Sequence, residues 1–312
     1  MLRAKGIALL VLAGGAAAGW ALLTPPARLS PAELAAHYAT PLPKPDTPLA
    51  VYHLGHSLVG RDMPAMLAQL MGEGHRHASQ LGWGASLDQH WRGDVPGFAE
   101  ENAHPAYRPA HEAIGGGAYD AVVLTEMVEL RDAIQHHDSA RALADWARLA
   151  RQARGDVRLY LYETWHRLDD PSGWLARLAQ DRAALWEAEL LRPAMARQGV
   201  GTIHVIPAGQ VLAALVTRIE AGEVPGLTRR EDLFTRDAQG APDMIHLNDL
   251  GAYVVALTHY AVLSGRPPLG LPHTLQRADG SPATPPTPAA ARVMQEVVWQ
   301  VVSRYAATGI AG

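Results

Sequence analysis

Apolar and polar positions divide this chain into short apolar runs and longer stretches of helical spacing. Runs at Ala50 to Leu54, Ala78 to Leu81, Ala121 to Thr125, Val157 to Tyr162 and Thr202 to Ile206 have strand length and are bounded by polar or glycine-containing turns. Around them, apolar residues recur every three to four positions over Met63 to Met71, Ser139 to Arg151, Trp174 to Arg197, Gln210 to Ala221 and Asp249 to Leu263, which predicts helices. Strands separated by helices imply an α/β fold, a three-layer sandwich with a central parallel sheet covered on both faces. Ligands of such a sheet bind outside the carboxyl ends of its strands.

The same pattern predicts the organisation of the chain. Arg3 and Lys5 precede an uncharged apolar run from Gly6 to Leu23, so residues 1–23 read as a signal peptide or an N-terminal membrane anchor. Ala16-Ala17-Ala18 offers small residues for cleavage, while Trp20, Leu22 and Leu23 prolong the run to the lower edge of membrane-spanning length. Export to the periplasm or exterior is therefore expected, with cleavage left open. Residues 24–48 are Pro-rich and read as a tether. The folded domain is expected over 49–265, followed over 266–312 by a Pro-rich tail and an apolar helical stretch from Ala289 to Tyr305.

Composition narrows the function classes. The net charge of -4 over 312 residues, with Lys and Arg scattered, offers neither a footprint for nucleic acid nor a polybasic patch for anionic lipid. Membrane attachment would rest on the N-terminal segment, and nothing in the chain points to a particular protein partner. The absence of cysteine excludes disulfides, thiolate metal sites and a cysteine nucleophile. No cofactor is expected: there is no phosphate loop, and Gly115-Gly116-Gly117 precedes a strand instead of opening a helix. No metal is expected either, because His90, Glu163, His166, Asp243, His246 and Asp249 form no tight ligand signature.

What remains is nucleophilic chemistry. Ser57 follows the first strand in the stretch LGHSLVG, and Asp243 and His246 open DMIHLNDLGAY before a helix. Three residues apart in a turn, the carboxylate can hold one imidazole nitrogen while the other faces Ser57. The Asp/Glu-x-x-His spacing also occurs at Glu101 with His104 and at Glu163 with His166, but only the last pair is followed by a polar turn and an apolar helix. Other polar or aromatic residues fall at strand ends: Trp83 and Gly84 after the second, Glu126 after the third, Trp165 and His166 after the fourth.

The blocks LGHSLVGRDMP, GWGASLDQHW, DAVVLTEM and DMIHLNDLGAY together resemble the SGNH hydrolases, the GDSL esterases and lipases, over roughly Leu49 to Gly265. The resemblance implies their flavodoxin-like fold, with Ser57 as nucleophile, Asp243 and His246 completing the triad, and backbone N–H groups of Ser57 and Gly84 facing the oxyanion. Two departures stand out. Gly55-His56-Ser57 replaces the usual Gly-Asp-Ser, and Leu124-Thr125-Glu126-Met127 stands where the family carries its oxyanion asparagine. Glu126 is open to three readings: binding a substrate hydroxyl, orienting a loop through backbone N–H groups, or staying protonated and donating.

Plainer roles compete at each position. Ser57 could cap the following helix, Gly84 could serve only a tight turn, and His56 could hydrogen-bond within its loop. Trp165 and His166 read equally as rim packing or as substrate contacts. Trp83, Gln89, His90, Trp91 and Trp165 suit a sugar-like face. The expected activity is serine ester hydrolysis of a short acyl ester, such as an O-acetylated carbohydrate. Polysaccharide O-acyl transfer and a non-catalytic carbohydrate-binding or assembly role are the alternatives.

Overall fold

The computed structural model describes residues 27–46 and 48–310, so the N-terminal apolar segment expected to be a signal or anchor lies outside the described residues. Five parallel strands, β1 (Ala50–His56), β2 (Arg76–Gly82), β3 (Ala121–Leu124), β4 (Arg158–Glu163) and β5 (His204–Pro207), form one sheet in the order β2-β1-β3-β4-β5. β1 is buried along its whole length, as a strand covered on both faces requires. Val51 packs on one side of the sheet with the helices Asp62–Met71, Asp249–Ser264 and Pro288–Val302. Tyr52 and Leu54, of opposite parity, pack on the other side with Trp146 of the helix Ser139–Ala153 and with Trp186.

The strand order reverses beside β1, whose neighbours are β2 on one edge and β3 on the other. Connections leave β1 and β3 in opposite directions there, which opens a crevice at their carboxyl ends. The expected α/β three-layer architecture with a parallel sheet is thus the observed one. Ser57, the residue after β1, sits at that crevice.

The structure differs from the sequence expectation in four respects. The continuous helix expected over Trp174 to Arg197 is α-helical at Trp174–Asp181, π-helical at Arg182–Leu191 and α-helical again at Arg192–Met195. The π bonding stops at Arg192, whose N–H still reaches the Glu187 carbonyl, because the next residue, Pro193, has no N–H to donate. In the Pro-rich stretch expected to be a tether, Pro31–His37 forms a helix. Ser30 and Glu33 close its capping box, and the buried Tyr38 that ends it donates to the Ile203 carbonyl at 2.8 Å. Proline at the first helical position favours that helix instead of preventing it. Short helices at Leu87–Arg92, Ala110–Gly115 and Leu130–His136 have too few turns to stand out as periodicity.

The fourth difference bears on the site. Asp243 and His246 do not lie in a loop entering the helix; they belong to β7 (Pro242–Leu247), which pairs antiparallel with β6 (Phe234–Arg236) in a hairpin. Among the described residues no helix is long and apolar enough to cross a membrane.

Candidate active site

The turn that carries Ser57 is built on close backbone approach. A Cβ at Gly55 would collide with Cγ2 of Thr125, the residue just past the neighbouring β3, so glycine suits the end of β1 before Ser57. His56 then fastens the turn from inside. Its Nε2 donates to the Glu126 carbonyl at 2.9 Å, and its Nδ1 accepts the Leu58 N–H at 3.3 Å. Full burial pulls the His56 pKa down to about 4, against the hydrogen bond to Glu126, so the ring is neutral and keeps both roles at pH 7.

A second histidine braces the strand one residue earlier. His90 Nε2 donates to the Gly55 carbonyl at 2.8 Å, while Gln80 donates to His90 Nδ1 at 3.0 Å and accepts the Ala110 N–H at 2.9 Å. Burial also lowers the His90 pKa to about 4. Tyr162 on β4 donates to the Leu58 carbonyl at 3.1 Å, adding a strut from the other side. The turn around Ser57 is therefore held by groups from three other segments of chain.

The acid and base arrive on β7. In a regular strand, residues three apart point to opposite faces, yet Asp243 and His246 meet. Asp243 Oδ1 accepts the N–H groups of Ile245 at 2.8 Å and His246 at 2.9 Å, an Asx-type turn that folds the carboxylate forward. Its other oxygen then accepts from His246 Nδ1 at 2.8 Å. Because a carboxylate only accepts, Nδ1 carries the proton, and Nε2 is free to accept from the Ser57 hydroxyl 3.0 Å away. Partial burial works against the Asp243 carboxylate, but the bonds from His246 and Ile245 outweigh it and hold its pKa below the ordinary aspartate range.

The hairpin is docked by the loop after β4. Trp165 Nε1 donates to the Ile245 carbonyl at 2.7 Å, and the Leu168 N–H donates to the Met244 carbonyl at 2.8 Å. Trp165 is buried and also walls the cleft of about 500 Å³ that Ser57 and His246 line. Trp165 thus packs under the hairpin, as the rim reading has it, and presents part of its surface to the cleft. Asn248 caps the next helix through its side-chain oxygen and reaches back to the Asp232 and Phe234 carbonyls, fixing where β7 ends.

The remaining candidates lie elsewhere. Glu126 is fully buried, with Oε1 accepting the N–H groups of Leu87 at 3.1 Å and Met127 at 2.8 Å. Of its three readings the structure matches the loop-orienting one, and burial raises its pKa to about 7. As a substrate contact it is corrected: its carboxylate lies beneath the loop. His166 is likewise no part of the cleft. Its Nε2 lies 3.1 Å from Asp181, inside a buried cluster in which Arg177 pairs with Asp181, Asp170 and Glu129.

Trp83 is exposed over Gly97 and is not among the residues that line the Ser57 cleft. Gly84 adopts φ 54, the left-handed region that favours glycine, in the loop after β2. Gly82 pairs with His56 across the sheet, so the Gly84 loop and the Ser57 turn leave adjacent strands at the same edge. Among the described residues no three His, Asp or Glu side chains converge as a metal site would require. His90, Glu163 and Asp249 are engaged separately with Gly55, Gln210 and Arg277.

No family model and no curated protein matches the chain. Two solved structures do. A DUF4886 family protein from Bacteroides uniformis aligns over 82% of this chain and 95% of its own, with a TM-score of 0.52 and 17% identity. A protein provisionally described as a GDSL-like lipase, from Parabacteroides merdae, aligns over 72% of this chain and 99% of its own, with a TM-score of 0.44 and 11% identity. At such identities the first likeness concerns the fold alone, which is mixed α/β with a central five-stranded parallel sheet of flavodoxin-like strand order.

Proposed function

We propose that this protein is a serine ester hydrolase acting on a short acyl ester, with an O-acetylated carbohydrate as the preferred substrate class. One observation carries the reading: a single imidazole bridges a carboxylate and a serine hydroxyl at 2.8 and 3.0 Å, at the switch point of a parallel sheet. His246 takes the proton as Ser57 Oγ attacks the acyl carbonyl. Asp243 holds the productive tautomer and stabilises the imidazolium. The resemblance assigns the developing oxyanion to the N–H groups of Ser57 and Gly84. The proton on His246 then passes to the leaving alcohol, and water, activated by the same ring, releases the acyl group.

The polar character of the cleft wall, with Arg61, Thr235, Arg236 and Asn248 beside Ser57, supports a polar alcohol half. Export through the N-terminal segment would place the enzyme where extracellular carbohydrate is found. The test is labelling with a fluorophosphonate followed by peptide mapping, together with turnover of 4-nitrophenyl acetate. Labelling at Ser57 with turnover is expected. An unlabelled Ser57 in folded protein overturns the reading. Product formation that requires an added sugar acceptor would turn hydrolysis into acyl transfer.

A further inference from the structure

The charges around the Ser57 cleft are not balanced by their neighbours. Two carboxylates line it: Asp249 is paired with a cation, whereas Asp62 is held only by a backbone N–H and keeps its charge, so three guanidinium groups face two carboxylates. Asp62 Oδ1 accepts the Ala278 N–H, and Asp249 accepts a fork from Arg277 at 2.9 and 2.6 Å together with the Thr284 N–H. Of the three arginines that line the cleft, Arg277 is therefore neutralised. Arg61 and Arg236 differ: neither has a carboxylate partner among the described residues.

Each is held by carbonyls instead, Arg61 by those of Glu100 and Glu101, and Arg236 by that of Gly240 at 2.8 Å. A guanidinium anchored by neutral acceptors is pre-positioned and keeps its full charge for an incoming anion. The two approach the cleft from separate elements, Arg61 from the start of the helix after Ser57 and Arg236 from the end of β6, opposite Pro242.

Arg61 also stands at a junction. A second cavity of about 720 Å³ adjoins the Ser57 cleft and shares Gly60, Arg61, Asp62 and Arg277 with it. The longer part of a substrate can thus leave Ser57 past Arg61. Resting on the esterase reading, in which the acyl half is short, we infer that the alcohol half of the substrate carries a carboxylate held between Arg61 and Arg236.

The matched probes are 4-acetoxybenzoate and its neutral counterpart 4-acetoxybenzamide, compared on the full-length protein. The anionic ester is expected to show a kcat/KM about tenfold higher, a discrimination worth about 1.4 kcal/mol. That ratio should shrink as salt rises from low to high ionic strength, because exposed guanidinium charges are screened. Arg61→Gln and Arg236→Gln should each lower the ratio about threefold or more, with Arg61→Lys retaining most of it.

Affinities of the products, 4-hydroxybenzoate and 4-hydroxybenzamide, measured by ligand-observed NMR, give the same comparison without chemistry. A wild-type affinity ratio near one, or one that neither glutamine variant changes, overturns the inference. Failure of Ser57 labelling and of turnover with both esters would instead overturn the esterase reading, and the affinity ratio would still decide this one.

Discussion

His246 Nε2 lies 3.0 Å from Ser57 Oγ, although 189 residues separate them in the chain. The contact joins the end of β1 to an antiparallel hairpin outside the main sheet, and it is held from both directions. His56 and His90 fix the serine turn, while Trp165 and the Asp243 Asx-type turn fix the imidazole. Ser57, His246 and Asp243 are therefore held in place before any substrate arrives, the pre-organisation that the proposed chemistry needs.

Ser57→Ala should abolish aryl acetate turnover while leaving thermal unfolding unchanged, since a half-buried hydroxyl at a turn contributes little packing. His246→Ala should do the same. Asp243→Asn is expected to cost about 10²- to 10⁴-fold in kcat, because an amide can donate to Nδ1 and so favours the wrong tautomer. Steady-state kinetics with 4-nitrophenyl acetate check all three, and a folded Ser57→Ala protein with wild-type kcat would refute the assignment.

Much of this arrangement was legible in the chain. Parallel strands buried on both faces appear as short apolar runs, and the reversal of strand order puts the segment after the first of them at the crevice. The resemblance blocks then fell on the residues that meet. Glu126, Trp165 and His166 were harder, since a polar residue at a strand end can face either the cleft or the interior. That choice depends on partners distant in sequence, such as Leu87 for Glu126 and Asp181 for His166. The hairpin escaped because β6 has only three residues and the Asx-type turn breaks the alternation of β7.

The Arg177 cluster predicts a stability effect remote from catalysis. The Arg177 side chain is almost fully buried and donates to Asp181, Asp170 and Glu129. Removing it leaves Asp181 buried beside His166 without its principal cation. Arg177→Ala should therefore destabilise the fold by about 3 kcal/mol or more, read as a lower denaturation midpoint in urea. A midpoint unchanged from wild type would show that the cluster is neutralised in another way.

The N-terminal segment predicts location. Full-length protein should fractionate with the membrane if the apolar run is an anchor, or shortened protein should appear in the exported fraction if it is a cleaved signal. Immunoblotting of cytosolic, membrane and exported fractions distinguishes these, and full-length soluble protein confined to the cytosol contradicts both.

Glu126 gives the most particular prediction, because its place in the structure separates shape from charge. Its Oε1 holds the N–H groups of Leu87 and Met127, and so ties the start of the helix Leu87–Arg92 to the end of β3. Glu126→Gln keeps an acceptor oxygen at the same reach and should fold and retain activity. Glu126→Ala leaves two N–H groups without this acceptor and should lose about 1–3 kcal/mol of stability. It should also lower turnover, since the Gly84 loop precedes that helix. Burial raises the Glu126 pKa from 4.5 to about 7, so the folded state binds this proton more tightly than the unfolded chain. Its contribution to stability consequently falls as pH rises from about 4.5 to about 7 and is constant above. Relative to Glu126→Gln, the wild type should lose stability between pH 5 and pH 8, measured as the difference in denaturation free energy at each pH. A difference that stays flat across that range would mean the carboxyl is ionised throughout, and that the two N–H groups outweigh its burial.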